Sequence, residues 1–296
     1  MAINESMKRE ADSVDPNPIL EHIDQLPPVL YKYKSFSDFN HCLTLARDGS
    51  VFFADARNLN DPFECRFVPR SPALTLEGNE LRNYLLGRIE VLEPTARGKE
   101  IDDLLSTAMD NVEQLKSGNP DAMTDVMENQ YGAMGILSLS QSSKSLPMWA
   151  YYGDSHKGIC VGLKTRSLGE FQARLLKQSD VLVLRQVIYE ENMPVVSMES
   201  SDRDPDEAEL DQAEQPYYTK AQGWVHEQEY RALLWNNVNT AFTLGSKSVA
   251  EVIFGSRACK AHVKAIVDEL RNSGSEATIS MARASFSKYE IILERI

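Results

Sequence analysis

The apolar run Ala232-Leu-Leu-Trp235 opens directly from the charged segment Glu227-Gln-Glu-Tyr-Arg231. A chain with this feature must place two acids and an arginine at the mouth of a core strand. Side chains alternate along an extended backbone, so Glu227 and Glu229 fall on one side of it. Burying such charges is costly unless they pair with one another or act on a ligand. The segment is therefore the first place to look for function. Its alternative reading is a structural Glu–Arg lock, since Glu229 and Arg231 stand at i, i+2 and Glu227 and Arg231 at i, i+4.

No apolar run approaches the roughly 18 residues of a membrane helix, and no secretory hydrophobic region follows Met1. The four cysteines, Cys42, Cys65, Cys160 and Cys259, lie far apart without a C-x-x-C. That spacing argues against a zinc site and against a disulfide framework. The expectation is a reduced, cytoplasmic protein with no membrane partner and no metal site. A formal net charge of −13 opposes generic binding to nucleic-acid phosphates. The charge is uneven, because acids crowd the segment 199–214 with Arg203 as its one basic residue, so a local basic pocket stays open.

Residues 1–28 are polar, with Pro16, Pro18, Pro27 and Pro28, and read as a loosely packed arm holding at most one short helix. Residues 29–296 read as a single domain. Val29–Tyr33 and Val51–Ala54 have strand composition, and a helix between them starts at Ser35 or Asp38 and stops at Gly49. From about residue 75 to 130 the pattern turns helical: Ile101, Leu104, Leu105, Ala108, Met109 and Val112 hold one amphipathic face. These helices read as an insertion that covers a sheet or lids a cleft. Strand signals return at Met134–Ser140, Gly158–Leu163, Val181–Tyr189, Glu229–Trp235 and Val249–Phe254, and the acidic stretch 199–214 reads as a mobile loop. Short helices without regular βαβ alternation favour α+β, with a central split or mainly antiparallel sheet and a helical insertion. The Rossmann and P-loop glycine motifs are absent from the sequence.

Five segments stand out: Leu30-Tyr-Lys-Tyr-Lys34, Leu59-Asn-Asp-Pro-Phe-Glu64, Ile136-Leu-Ser-Leu-Ser140, Met148-Trp-Ala-Tyr-Tyr152 with His156-Lys-Gly158, and Trp224–Arg231. In this order, over about residues 29–255, the set resembles the bacterial family known as domain of unknown function 2971. A looser resemblance is to DarT-type ADP-ribosyltransferases, in the strand, helix, glycine, strand layout of Leu30-Tyr31 through Gly49. The arginine–serine–glutamate class of those enzymes carries a basic residue on its first strand, a Ser-x-Ser strand and a Glu-x-Glu. Lys32 or Lys34, Ser138-Leu-Ser140 and Glu227-Gln-Glu229 follow that order here. The first-strand cation is lysine instead of arginine, and lysine cannot make the bidentate fork to a phosphate.

This resemblance implies an enzyme that cleaves NAD, its substrate, and transfers ADP-ribose to an acceptor, protein or nucleic acid, as a toxin or phage-defence effector. Cleavage of the nicotinamide–ribose bond passes through an oxocarbenium-like state that a carboxylate stabilises. Glu229 would hold a ribose hydroxyl and Glu227 would orient or deprotonate the acceptor. Tyr31 or Tyr33 would stack the nicotinamide, and Lys32 or Lys34 would neutralise pyrophosphate. Ser140, Asn60, Trp149 and Arg231 complete the expected binding set.

Each residue has a plainer reading. Asn60-Asp61-Pro62 is a turn signature in itself, Trp149, Tyr151 and Tyr152 can be core aromatics, and His156 can be a solvated turn residue. Two other function classes stay open: a phosphodiesterase or nuclease using Asp61, Glu64, Glu227, Glu229 and a lysine, and a non-catalytic ligand- or protein-binding domain.

Overall fold

The computed structural model of the protein describes residues 17–119, 122, 125, 133–177, 180–197 and 207–296. The chain divides into two compact units, one built from Ala56–Ala133 and Glu190–Ala221, the other from Met7–Asp55, Met134–Tyr189 and Gln222–Ile296. The first unit holds the helical insertion as Gly78–Leu92 and Lys99–Lys116, which pack through Leu81, Leu85, Ile89, Leu105 and Val112.

Half of the acidic stretch departs from the loop reading. Helix Glu207–Tyr218 begins inside it, and Ala213, Glu214, Tyr217 and Tyr218 are buried. Ala213, Tyr217 and Tyr218 are buried beside Glu214, which an acid count alone does not register. Residues 198–206 lie outside the described set.

The second unit is a ten-stranded sheet. Its strands are β1 (Val29–Lys34), β2 (Ser50–Asp55), β3 (Met134–Ser140), β4 (Ile159–Lys164), β5 (Leu182–Gln186), β6 (Glu229–Trp235), β7 (Thr240–Thr243), β8 (Val249–Phe254), β9 (Thr278–Ala284) and β10 (Ile291–Arg295). The order is β5-β6-β3-β1-β4-β8-β9-β10, and β2 with β7 branches from β3. All pairs are antiparallel except β8 with β9. With the helices, this is the α+β class read from the sequence.

The branch splits the sheet. One edge of β3 pairs along its whole length with β6. The other edge is shared: β2 takes Gly135 and Ile136, and β1 meets it at Ser140. Helix α1 (Asn17–Ile23) belongs to the arm expected to be loose, yet Ile23 is buried in the main core, which anchors that part of the arm. The remaining helices of this unit are α2 (Phe39–Asp48), α3 (Leu146–Tyr151), α4 (Thr165–Leu176) and α5 (Lys260–Asn272).

Helix α2 forms as the sequence directs. Asp38 caps it by accepting from the His41 amide, and Gly49 ends it at φ 62°, a left-handed conformation that glycine adopts without steric cost. Its Cys42, Leu45 and Ala46 join Leu30, Val51, Phe53, Leu137 and Leu139 in the core. Among the described residues, no helix is long and apolar enough to cross a membrane. No disulfide joins the four cysteines.

Candidate functional site

Three strands bring the predicted residues into one row. Tyr31 of β1 lies opposite Ser140 of β3, and Ser140 lies opposite Glu229 of β6. Directly opposed residues share a face of the sheet, so Tyr31, Ser140 and Glu229 point to the same side. Ser138 and Arg231, two residues along, follow them. The Ser-x-Ser strand lies between the first strand and the Glu-x-Glu strand.

On this face the side chains form a hydrogen-bonded network. Arg231 is fully buried and donates from Nε to Glu229 Oε1 at 2.7 Å and from Nη2 to Glu229 Oε2 at 3.1 Å. Glu227 is equally buried, and the Tyr152 hydroxyl donates to its Oε1 at 2.6 Å. Ser140 Oγ donates to the Glu227 carbonyl at 2.6 Å, which ties the turn before β6 to the end of β3. The Glu229 amide donates to the Tyr189 hydroxyl at 2.8 Å. Tyr31 donates to Glu251 on β8 at 2.6 Å; burial, and then the Glu251 carboxylate, hold its phenol proton more tightly than usual.

Helix α3 covers the row. Ser145 caps it and Pro147 fits its first turn, where the missing amide is not needed. Its Trp149 is buried edge-on against Tyr33, with ring centroids 5.2 Å apart, and donates from Nε1 to Ser143 O at 2.9 Å. Tyr33 donates to Ser142 O at 2.8 Å. Trp149 and Tyr33 are thus core aromatics with satisfied polar ends. His156 stacks on Trp149 at 6.0 Å, and burial followed by Arg257 lowers its pKa. Tyr152, the last residue of the Met-Trp-Ala-Tyr-Tyr segment, is the member that reaches a predicted glutamate.

The lysines do not join this row. Lys32 and Lys34 alternate with Tyr31 and Tyr33, so they leave the opposite face with Leu30, toward helix α2. Period-two alternation already forbade a single pocket holding Tyr31 and Lys32 on one strand. Lys32 turns into the split and donates from Nζ to Ser138 O at 2.8 Å. Burial, then the neighbouring charge of Lys34, lower its pKa to about 8, against an upward pull from Glu229 and Glu227.

Asn60 belongs to the other unit. In its loop, Asp61 Oδ1 accepts from the Phe63 amide at 2.9 Å, the Asx turn read from the sequence. Glu64 and Lys220 form a buried ion pair at 3.0 Å. Asp61 thus commits Oδ1 to its own turn while its Oδ2 is buried without a hydrogen-bond partner among the described residues, and Glu64 is held by the distant Lys220. Among the described residues, no group of three His, Cys, Asp or Glu could hold a metal ion.

Sequence reasoning missed Glu251 and Tyr189. Both reach the row from strands or turns distant in sequence, and no local pattern marks them. Tyr152 lay within a segment already singled out, and its helical spacing from Trp149 was the available signal.

Residues 148–232 match the model of a family described as a protein of unknown function, DUF2971. No curated protein and no solved structure matches the chain.

Proposed function

We propose that this DUF2971-related chain is an ADP-ribosyltransferase-like enzyme, cytoplasmic and acting as a toxin or defence effector, with its reaction site on the Tyr31–Ser140–Glu229 face. The observation that carries the reading is the row itself: first strand, Ser-x-Ser strand and Glu-x-Glu strand stand side by side with those three residues in register. The glutamate roles change from those the resemblance implies. Glu229 faces the Arg231 guanidinium, which offsets its charge, so it orients and does not stabilise a cation. Glu227, next to the end of β6 and bonded by the Tyr152 hydroxyl, is the carboxylate we assign to the developing charge on ribose.

In the step, the ribose–nicotinamide bond breaks, nicotinamide leaves with the electron pair, and the acceptor's nucleophile bonds to the ribose carbon. Glu227 takes the acceptor's proton. Its burial requires the turn Gln222–Glu227 to open for NAD to enter. The test is release of nicotinamide from NAD with cell lysate as the acceptor source. Wild-type protein should release it, and Glu227→Gln should reduce the rate by about 100-fold or more with the fold retained. No release by the wild type overturns the assignment.

A second reading has its own observation. Glu227, Glu229 and Arg231 are each at most 4% exposed, as a purely architectural polar core requires. On that reading the domain binds a ligand or protein without catalysis, and Glu227→Gln changes stability alone.

A further inference from the structure

We propose that the free edge of β10 pairs antiparallel with β10 of a second copy of the chain, about a two-fold axis through Leu293. This goes beyond the transferase reading and does not depend on it.

β10 closes one end of the sheet, and among the described residues its only strand partner is β9. The Ile296 amide donates to Ile279 O at 3.0 Å, and the Ser285 amide donates to Glu290 O at 3.0 Å. Backbone polar groups alternate sides along a strand, so residues 290, 292, 294 and 296 turn theirs toward β9. Ile291, Leu293 and Arg295 turn theirs outward, beyond the last described strand. The edge carries none of the usual safeguards against pairing: Ile291–Arg295 holds no proline and no lysine, and its register with β9 is unbroken. Apolar exposure gathers at the same place. Phe286 and Tyr289 stand fully exposed in the β9–β10 turn, and Ile292 of the strand and Ile296 just beyond it are exposed too.

The pattern of charges on the strand selects a second copy as its partner, in one register. Side chains alternate faces, so a two-fold axis perpendicular to the sheet must pass through a residue. An axis through Ile292 sets Glu290 against Glu294 of the second copy. One through Glu294 or Arg295 sets that residue against itself. Like charges directly opposed are destabilising. An axis through Ile291 would pair the strand with the turn Ser287–Glu290, where the Glu290 amide folds back on Lys288 O. Through Leu293, Ile291 lies opposite Arg295, Ile292 opposite Glu294 and Leu293 opposite itself, with no like charges opposed. The outward amides and carbonyls of all three edge residues are then satisfied. Leu293, partly buried against the Tyr33–Trp149 cluster, meets its twin, so that apolar cluster continues from one copy into the other. An isologous contact of this kind closes as a dimer and does not propagate.

Sedimentation equilibrium of the full chain over roughly 1–100 µM tests the pairing. Wild type should show a reversible monomer–dimer equilibrium. Ile292→Glu sets like charges opposite each other twice across the axis and should weaken the dimer about 10-fold or more. Adding Glu294→Lys should restore affinity to within about 3-fold, because residues 292 and 294 face each other only in this register. Arg295→Pro removes an outward amide and no bond to β9, and should weaken the dimer as well. These positions are exposed, so each variant should melt close to wild type at the lowest concentration. A chain that stays monomeric over the whole range leaves the edge to a different partner and overturns the proposal. Wild-type affinity in Ile292→Glu or Arg295→Pro, or no recovery in the double variant, overturns it equally, whether or not the chain cleaves NAD.

Discussion

Arg231 is wholly buried and donates two hydrogen bonds to Glu229, so replacing either partner alone weakens the compensation of the other's buried charge. Glu229→Gln should cost about 3–5 kcal/mol of unfolding free energy. The double replacement Glu229→Gln, Arg231→Met should recover part of that loss. Denaturant melts of the three proteins check this; a single variant as stable as wild type would remove the lock. Lys32 gives a pH signature. Its folded pKa of about 8 lies below the ordinary 10.5, so between these values the unfolded chain binds more protons. Stability should therefore rise with pH across that window, by on the order of 1–3 kcal/mol. Lys32→Met should flatten the rise, as measured by melts from pH 7 to pH 11. At this scale the sequence exposed Glu229 and Arg231 as partners, because residues two apart on a strand share a face. Glu251 and Tyr189 were invisible, because only chain reversal brings them to Tyr31 and Glu229.

Elements differ in how far local sequence decides them. Helix α2 has its cap at Asp38 and its stop at Gly49 written in the chain. Gly158, just before β4, is fixed by tertiary approach: a side chain there would strike the Lys34 carbonyl oxygen at the end of β1. Gly158→Ala should destabilise by about 2 kcal/mol or more, read by chemical denaturation. Wild-type stability in that variant would mean that the two backbones can part freely. The helix Glu207–Tyr218 shows where composition misleads. Removal of 207–214 takes out buried Ala213 and Glu214 and the turns that carry Tyr217 and Tyr218. Loss of about 2–4 kcal/mol is expected, where a solvated loop would lose almost nothing.

For the whole molecule, three separated stretches build the sheet unit, and the other unit is interleaved between them. The family match at residues 148–232 contains β4, β5 and most of β6, but not β1, β3 or β8, against which those strands pair. A fragment of residues 148–232 should therefore show no cooperative melt and little dispersion in its proton spectrum; a folded fragment would contradict the long-range pairing. The sequence by itself determined the α+β class, most strands, the caps of α2 and the segments that matter. Those features follow from alternation, capping and turn chemistry, which act over a few residues. Tertiary structure alone decided that β3 stands between β1 and β6 and that the sheet splits beside Ser138. Strand order and register are set by contacts between residues far apart in the chain, such as Tyr31 with Ser140 and Ser140 with Glu229, and no local pattern encodes their choice of partner.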